Sequence, residues 1–164
     1  MSNIDLSHTP KPLNKRSGAR VAAVQALYSM EVAGKGLHEI IHEFEVFWLG
    51  QEVEGLMAMP AEPAFFQKLI TGVIDYQQTI DQTVDQALAK GWPLKRIEAV
   101  IRAIMRAGTF ELKYLSDVPV KVIINEYVDV AHAFYDDDEP KLVNAVLDAI
   151  SKEVRPQTPS SLID

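Results

Sequence analysis

The sequence predicts an all-α fold of six or seven helices, and three observations carry that expectation. Apolar residues recur at i, i+3, i+4 and i+7 almost throughout. No period-2 segment appears outside the short VKVII run after Pro119. Prolines and glycines punctuate the periodic segments, with Gly34 and Gly36 after the first and Pro63, Pro93, Pro119 and Pro140 before later ones.

The first helix is expected over Ser17–Ala33, with Val21, Val24, Leu27 and Tyr28 inward and the glycines ending it. A second follows from Leu37 to about Leu49, its stripe made of Leu37, Ile40, Ile41, Phe44, Phe47 and Trp48. The stretch GQEVEGLMAMPAEP, residues 50–63, then reads as a long, partly acidic loop. From Ala64 to Ala89 the apolar series Phe65, Phe66, Leu69, Val73, Ile74, Ile80, Val84 and Leu88 predicts two helices meeting near Tyr76 to Thr79. Pro93 is expected to open the next, with Leu94, Ile97, Val100, Ile101, Ile104, Gly108 and Leu112 buried. The VKVII run continues as Tyr127, Val128, Ala131 and Phe134, a helical series, so helix is preferred over strand there. Pro140 is expected to open the last helix, with Leu142, Val143, Val146, Leu147, Ile150 and Val154 facing inward. Residues 1–14 form a predicted arm, 15–155 the helical domain and 156–164 a tail.

Composition narrows the functional classes. The 164 residues suit one domain or two small ones, and 48% apolar with 24% charged residues is ordinary for a folded chain. The absence of cysteine excludes disulfides, iron-sulfur clusters, thiol catalysis and cysteine-bound zinc. Residues 1–15 lack the apolar core of a signal peptide and no apolar run reaches spanning length, so a cytoplasmic protein with no membrane partner is expected.

Formal net charge is -7, which argues against non-specific coating of duplex nucleic acid. Charge is nonetheless segregated. Lys11, Lys15, Arg16 and Arg20 face only Asp5 in the first 20 residues, and a second basic island spans 90–121. Glutamates alone carry charge in 36–62, and Asp136, Asp137, Asp138 and Glu139 form a further acidic group. Solvated helix faces explain such runs, but two basic islands also permit a local anion site.

His38, Glu39 and His42 spell H-E-x-x-H, the spacing of a zinc hydrolase. The apolar stripe of that helix centres on Phe44, which turns both histidines toward solvent rather than into a cleft. No G-x-S-x-G, Walker loop or G-x-G-x-x-G is present, and His8 and His132 have no nucleophile nearby in sequence. No catalytic residue, metal or cofactor is therefore expected.

Five segments in order carry a resemblance. They are Arg20 to Glu31 (RVAAVQALYSME), Leu69-Ile70-x-Gly72-Val73, Arg102-Ala103-Ile104-Met105-Arg106 leading to Phe110-Glu111-Leu112, Val118-Pro119-x3-Ile123-Ile124-Asn125-Glu126, and Lys141-x-Val143-Asn144-x-Val146-Leu147-Asp148. Together, over about Arg16 to Arg155, the chain resembles the NusB family of bacterial transcription antitermination factors. The resemblance implies two packed helical subdomains and an RNA-binding protein without enzymatic activity. It implies single-stranded boxA RNA of ribosomal transcripts and the ribosomal protein NusE as partners, then other Nus factors and RNA polymerase. Homodimers that bury the basic surface also occur among such proteins.

Carried over by position, the resemblance places RNA contacts at Lys15, Arg16, Arg20 and Gln25 and around the last helix at Phe134, Asp138, Lys141 and Asn144. Tyr28 falls at the partner surface, although its spacing suits the core equally. Arg106, Glu111, Asn125 and Glu126 are expected to be architectural, with an ion pair from Arg106 to Glu111 or Glu126. Three departures from the family pattern stand out. The N-terminal arginine run is reduced to Lys15-Arg16-Ser17-Gly18-Ala19-Arg20, Leu142 replaces a common phenylalanine, and Ile101 replaces an acidic position tied to partner contact. The first implies weaker RNA affinity for the chain alone and a greater need of the partner.

Three other readings compete. A helical interaction module without RNA affinity fits the composition, and a zinc hydrolase on His38, Glu39 and His42 is the enzymatic alternative. The same fold precedes some ribosomal RNA methyltransferases, but no cofactor-binding half is present in the sequence.

Overall fold

The computed structural model describes residues 14–47, 52–53, 56–57, 61–88 and 97–156. Among them are seven helices: α1 (Lys15–Ala33), α2 (Leu37–Phe47), α3 (Pro63–Asp75), α4 (Gln77–Ala87), α5 (Ala99–Tyr114), α6 (Val120–Phe134) and α7 (Asp138–Val154). Within the acidic segment, β1 (Glu52–Val53) pairs antiparallel with β2 (Leu56–Met57), a minimal hairpin where a plain loop was expected.

Asn14 starts α1 two residues earlier than the apolar spacing suggests, because its Oδ1 accepts the Ser17 N–H at 2.7 Å and satisfies one of the orphan donors. Gly34 ends the helix at φ 69°, a conformation that side chains disfavour. Helix α1 is alanine-rich and buried on most sides, since α2, α3, α5 and α6 all pack on it. Ala19, Ala22, Ala23 and Ala26 allow that close approach.

The N-terminal group α1–α3 closes on Ile40, Phe44 and Phe66, with the two phenylalanine rings stacked at 5.3 Å. Pro63 sits at the first helical position of α3, where its missing N–H costs nothing. Helices α3 and α4 meet at the single residue Tyr76, whose N–H still reaches Gly72 O at 3.0 Å. In the second group, α4–α7 pack around α5, whose residues from Ala103 to Leu112 are buried apart from Arg106. Helix α5 also contacts α1 and α3, which joins the two groups into one core. Arg155, just past α7, donates to the carbonyls of Leu112 at 2.7 Å, Glu111 at 2.9 Å and Leu115 at 2.6 Å, and to Val118. These bonds satisfy the open C-terminal end of α5.

The VKVII run lies wholly in α6, as its helical continuation indicates, with Pro119 as the N-cap rather than the first helical residue. One boundary and one burial expectation are corrected. Helix α7 begins at Asp138, not Pro140, because a proline is tolerated anywhere in a first turn, where N–H groups have no intrahelical acceptor. Leu142 is 38% exposed, while Pro140 and Val143 take the inward positions. Trp48 and Leu49, the expected end of the second helix, lie outside the described residues, as do Pro93, Leu94 and the first 13 and last eight residues of the chain.

Candidate nucleic-acid interface

The residues expected to bind RNA divide into three places. Lys15 and Arg16 are exposed on the first turn of α1. Arg16 lies 3.7 Å from the Glu62 carboxylate, and its guanidinium stands 4.6 Å over the Phe65 ring. The second place is a surface cavity of about 460 Å³ between α1, α2, α5 and α6. It brings together Gln25, Tyr28 and Phe134, with Phe44 and Val100 among its apolar lining and Glu43 at its edge. Tyr28 is 38% and Phe134 42% exposed, so neither ring is spent on the core. Large apolar rings beside an amide offer stacking surface and a hydrogen-bonding group in one hollow.

The third place is the start of α7. Asp138, Lys141 and Asn144 are exposed and spaced by three, which lines them up along one helix face beginning beside Phe134. Between the two, Tyr135 donates to Glu98 at 2.8 Å and links this corner to the start of α5. Burial, then the Glu98 hydrogen bond and charge, raise the Tyr135 phenol well above its ordinary range. By helix rise, Arg16 and Tyr28 lie roughly 18 Å apart along α1, a span that several nucleotides of single strand would cover.

Arg20 does not belong to this surface, and its assignment to RNA phosphate is corrected. The side chain is buried, with the residue 2% exposed, and its Nε and Nη2 donate to the two oxygens of Glu111 at 2.8 and 2.9 Å. Its Nη1 lies 3.8 Å from Glu126, whose carboxylate also accepts from Ser17 Oγ at 2.9 Å. Tyr127 completes the hub by donating to Glu111 at 2.5 Å. With its fork closed on Glu111 and the residue buried, the guanidinium is out of reach of a phosphate in solvent. Despite desolvation, which lowers it, the Glu111 hydrogen bond and charge leave the Arg20 pKa raised overall.

The expected pairing of Arg106 is likewise corrected. Arg106 donates to Asp81 at 2.8 and 2.9 Å and lies 3.7 Å from Glu31, while Arg20 occupies Glu111 and Glu126. Ile101 is buried, so the position that the resemblance ties to partner contact is part of the core here. His38, Glu39 and His42 are exposed, and among the described residues no group of three metal-ligating side chains is close enough to hold an ion.

The hub makes a testable prediction about alkaline stability. Burial foremost, with the Glu111 charge, pushes the Tyr127 phenol well above its usual value, against the opposing charge of Arg20. A raised folded-state pKa gives stability that is complete below about pH 10, the unfolded value, and is lost as pH rises beyond it. Tyr127→Phe is expected to cost about 1–2 kcal/mol at neutral pH through the lost hydrogen bond, and to lose less stability than wild type between about pH 9 and 11. Urea midpoints of both proteins at the two pH values check this; parallel declines would reject it.

An all-α protein is thus defined, with a buried ion-pair hub and with exposed cations, an amide and aromatic rings on α1, α6 and α7. The family profile of NusB matches residues 17–152, and the chain belongs to the NusB family of transcription antitermination factors. It is 54% identical over 147 residues to transcription antitermination protein NusB of Bradyrhizobium diazoefficiens, covering 90% of this chain and 89% of that one. The fold matches NusB of T. maritima with a TM-score of 0.71 at 26% identity, over 88% of this chain and 96% of that one. It also matches a crystal structure of antitermination factors NusB and NusE in complex with dsRNA, with a TM-score of 0.67 at 24% identity, over 85% of this chain and 97% of that one.

Sequence reasoning missed the surroundings of Arg16. Glu62, Phe65 and Lys68 gather there from α3 and the residue before it. The run EPAFFQK offered only the amphipathic period, which does not reveal a neighbour on another helix.

Proposed function

We propose that the chain binds a single-stranded boxA-type element of ribosomal RNA transcripts together with NusE. In this reading it then joins other Nus factors and RNA polymerase in the cytoplasm to suppress premature termination, acting by binding and not by catalysis. The observation that carries the reading is the convergence of Gln25, Tyr28 and Phe134 on one cavity, with exposed cations at Lys141 in the first turns of α7 and at Lys15 and Arg16 on α1. The exposed Phe134 ring takes an unpaired base, the Gln25 amide meets a base edge, and the exposed cations meet phosphates. The net charge of -7 disfavours indiscriminate binding and suits a basic protein partner. Tyr28 and Val32 are exposed one turn apart on α1 and supply the apolar contact for NusE. A homodimer through the same surface would compete with both ligands.

The test is fluorescence anisotropy of a boxA-type RNA against a scrambled strand, with and without NusE. NusE is expected to tighten binding to the intact element over the scramble. Arg16→Ala is expected to weaken it by about threefold to tenfold and to lower the salt slope by about one. If neither RNA binds even with NusE present, the chain is a helical interaction module and the RNA reading fails.

A further inference from the structure

A second, smaller cavity of about 210 Å³ opens beside the first turn of α1, lined by Arg16, Glu62, Phe65, Lys68, Asp117 and Val118. Three elements meet there: α1, the start of α3, and the turn between α5 and α6. The Glu62 N–H donates to Lys15 O at 3.0 Å and so fastens the start of α3 to the start of α1. Phe65 is buried and its ring carries two guanidinium groups, Arg16 at 4.6 Å on the surface and Arg20 at 5.1 Å inside. The buried hub therefore holds the ring that holds Arg16.

The cavity contains two cations and two carboxylates, yet the contacts among them are loose. Arg16 and Glu62 approach only to 3.7 Å, beyond hydrogen-bond distance, with side chains 49% and 43% exposed. Lys68 is exposed, and no ion-pair partner of it occurs among the described residues. Such a weak, solvent-screened pair is easily exchanged for a stronger one. A phosphate offers Arg16 a bidentate acceptor and Lys68 a charge it otherwise lacks.

We propose that this cavity is a phosphate subsite for the RNA strand, in which Arg16 and Lys68 share one phosphate and Glu62 occupies the place of that phosphate when RNA is absent. The inference rests on the RNA reading above and adds to it a second cation, on α3, and an internal competitor. Phe65 acts as a positioning residue, holding the Arg16 guanidinium against the cavity wall.

The test uses the full chain with NusE and the boxA-type RNA, by anisotropy at several salt concentrations, for Lys68→Ala and Glu62→Gln. Lys68→Ala is expected to weaken binding by about threefold to tenfold and to reduce the salt slope by about one. Glu62→Gln is expected to tighten binding by about twofold to fivefold, since the phosphate no longer displaces a carboxylate. Urea midpoints near the wild-type value would show that neither change acts through the fold. A Lys68→Ala protein that binds as wild type, or a Glu62→Gln protein that binds no tighter, overturns the subsite and leaves the RNA reading standing. If the wild-type protein with NusE binds no RNA, both fall together.

Discussion

Arg20→Ala is expected to destabilise the protein by about 3–5 kcal/mol, a large part of the stability of a domain this size. The cost does not come from lost attraction alone. Glu111 is fully buried, and without the guanidinium it keeps a single donor, the Tyr127 hydroxyl, for a carboxylate that Arg20 met with two bonds. Glu126 keeps Ser17 but loses its neighbouring positive charge. A buried carboxylate left without a counter-charge must either remain as a charge in an apolar surround or take up a proton, and both cost free energy. Arg20→Lys tests the geometry, since an ammonium supplies charge but not the planar fork, and an intermediate loss is expected. Urea denaturation measures both. An Arg20→Ala midpoint equal to wild type would show that the hub is dispensable to the fold.

The same residue shows where sequence reasoning reached and where it stopped. Periodicity located the seven helices of the described residues, because each buries a stripe and the stripe is local information; Gly34 and Pro63 mark ends for reasons of backbone geometry alone. Arg20, near the start of a helix in a basic segment, reads as solvated, and its partner Glu111 lies 91 residues away. A usable signal was present: Arg20 is embedded in an alanine-rich helix, Glu111 between Phe110 and Leu112, and Glu126 beside Tyr127, single charges in apolar surroundings that must find one another. Helix spacing is blind to the register between α4 and α5, so it points Arg106 toward Glu111 or Glu126 where the partner is Asp81. At the candidate interface, the resemblance singles out Gln25, Tyr28, Phe134 and Lys141, which spacing alone does not. That Gln25, Tyr28 and Phe134 share one hollow depends on how α1 packs beside α6.

Gly72→Val is expected to cost about 3 kcal/mol or more, the upper range for overpacking a core. Gly72 lies inside α3, where glycine is a poor helix former, so local propensity alone predicts that a side chain would stabilise the protein by up to about 1 kcal/mol. Packing reverses the sign. A Cβ at this position would stand 2.2 Å from two carbons of the Phe110 ring and 2.9 Å from a third, far inside contact distance. The ring has little room to yield, because Phe110 is buried and packs on Tyr114 at 5.5 Å, which itself stacks on Tyr76 at 4.3 Å. Glycine here is the seat of an aromatic ring at the crossing of α3 and α5, one of the contacts through which the two helical groups meet. Gly72→Ala should show a smaller net loss, about 1–2 kcal/mol, since propensity offsets part of the clash. Phe110→Leu should then recover part of that loss, because the branched chain vacates the ring edge that a Cβ would strike. A double-mutant cycle from urea denaturation measures the coupling; additive losses for the two changes would mean that the helices separate to admit the methyl group and that the ring is not what demands glycine.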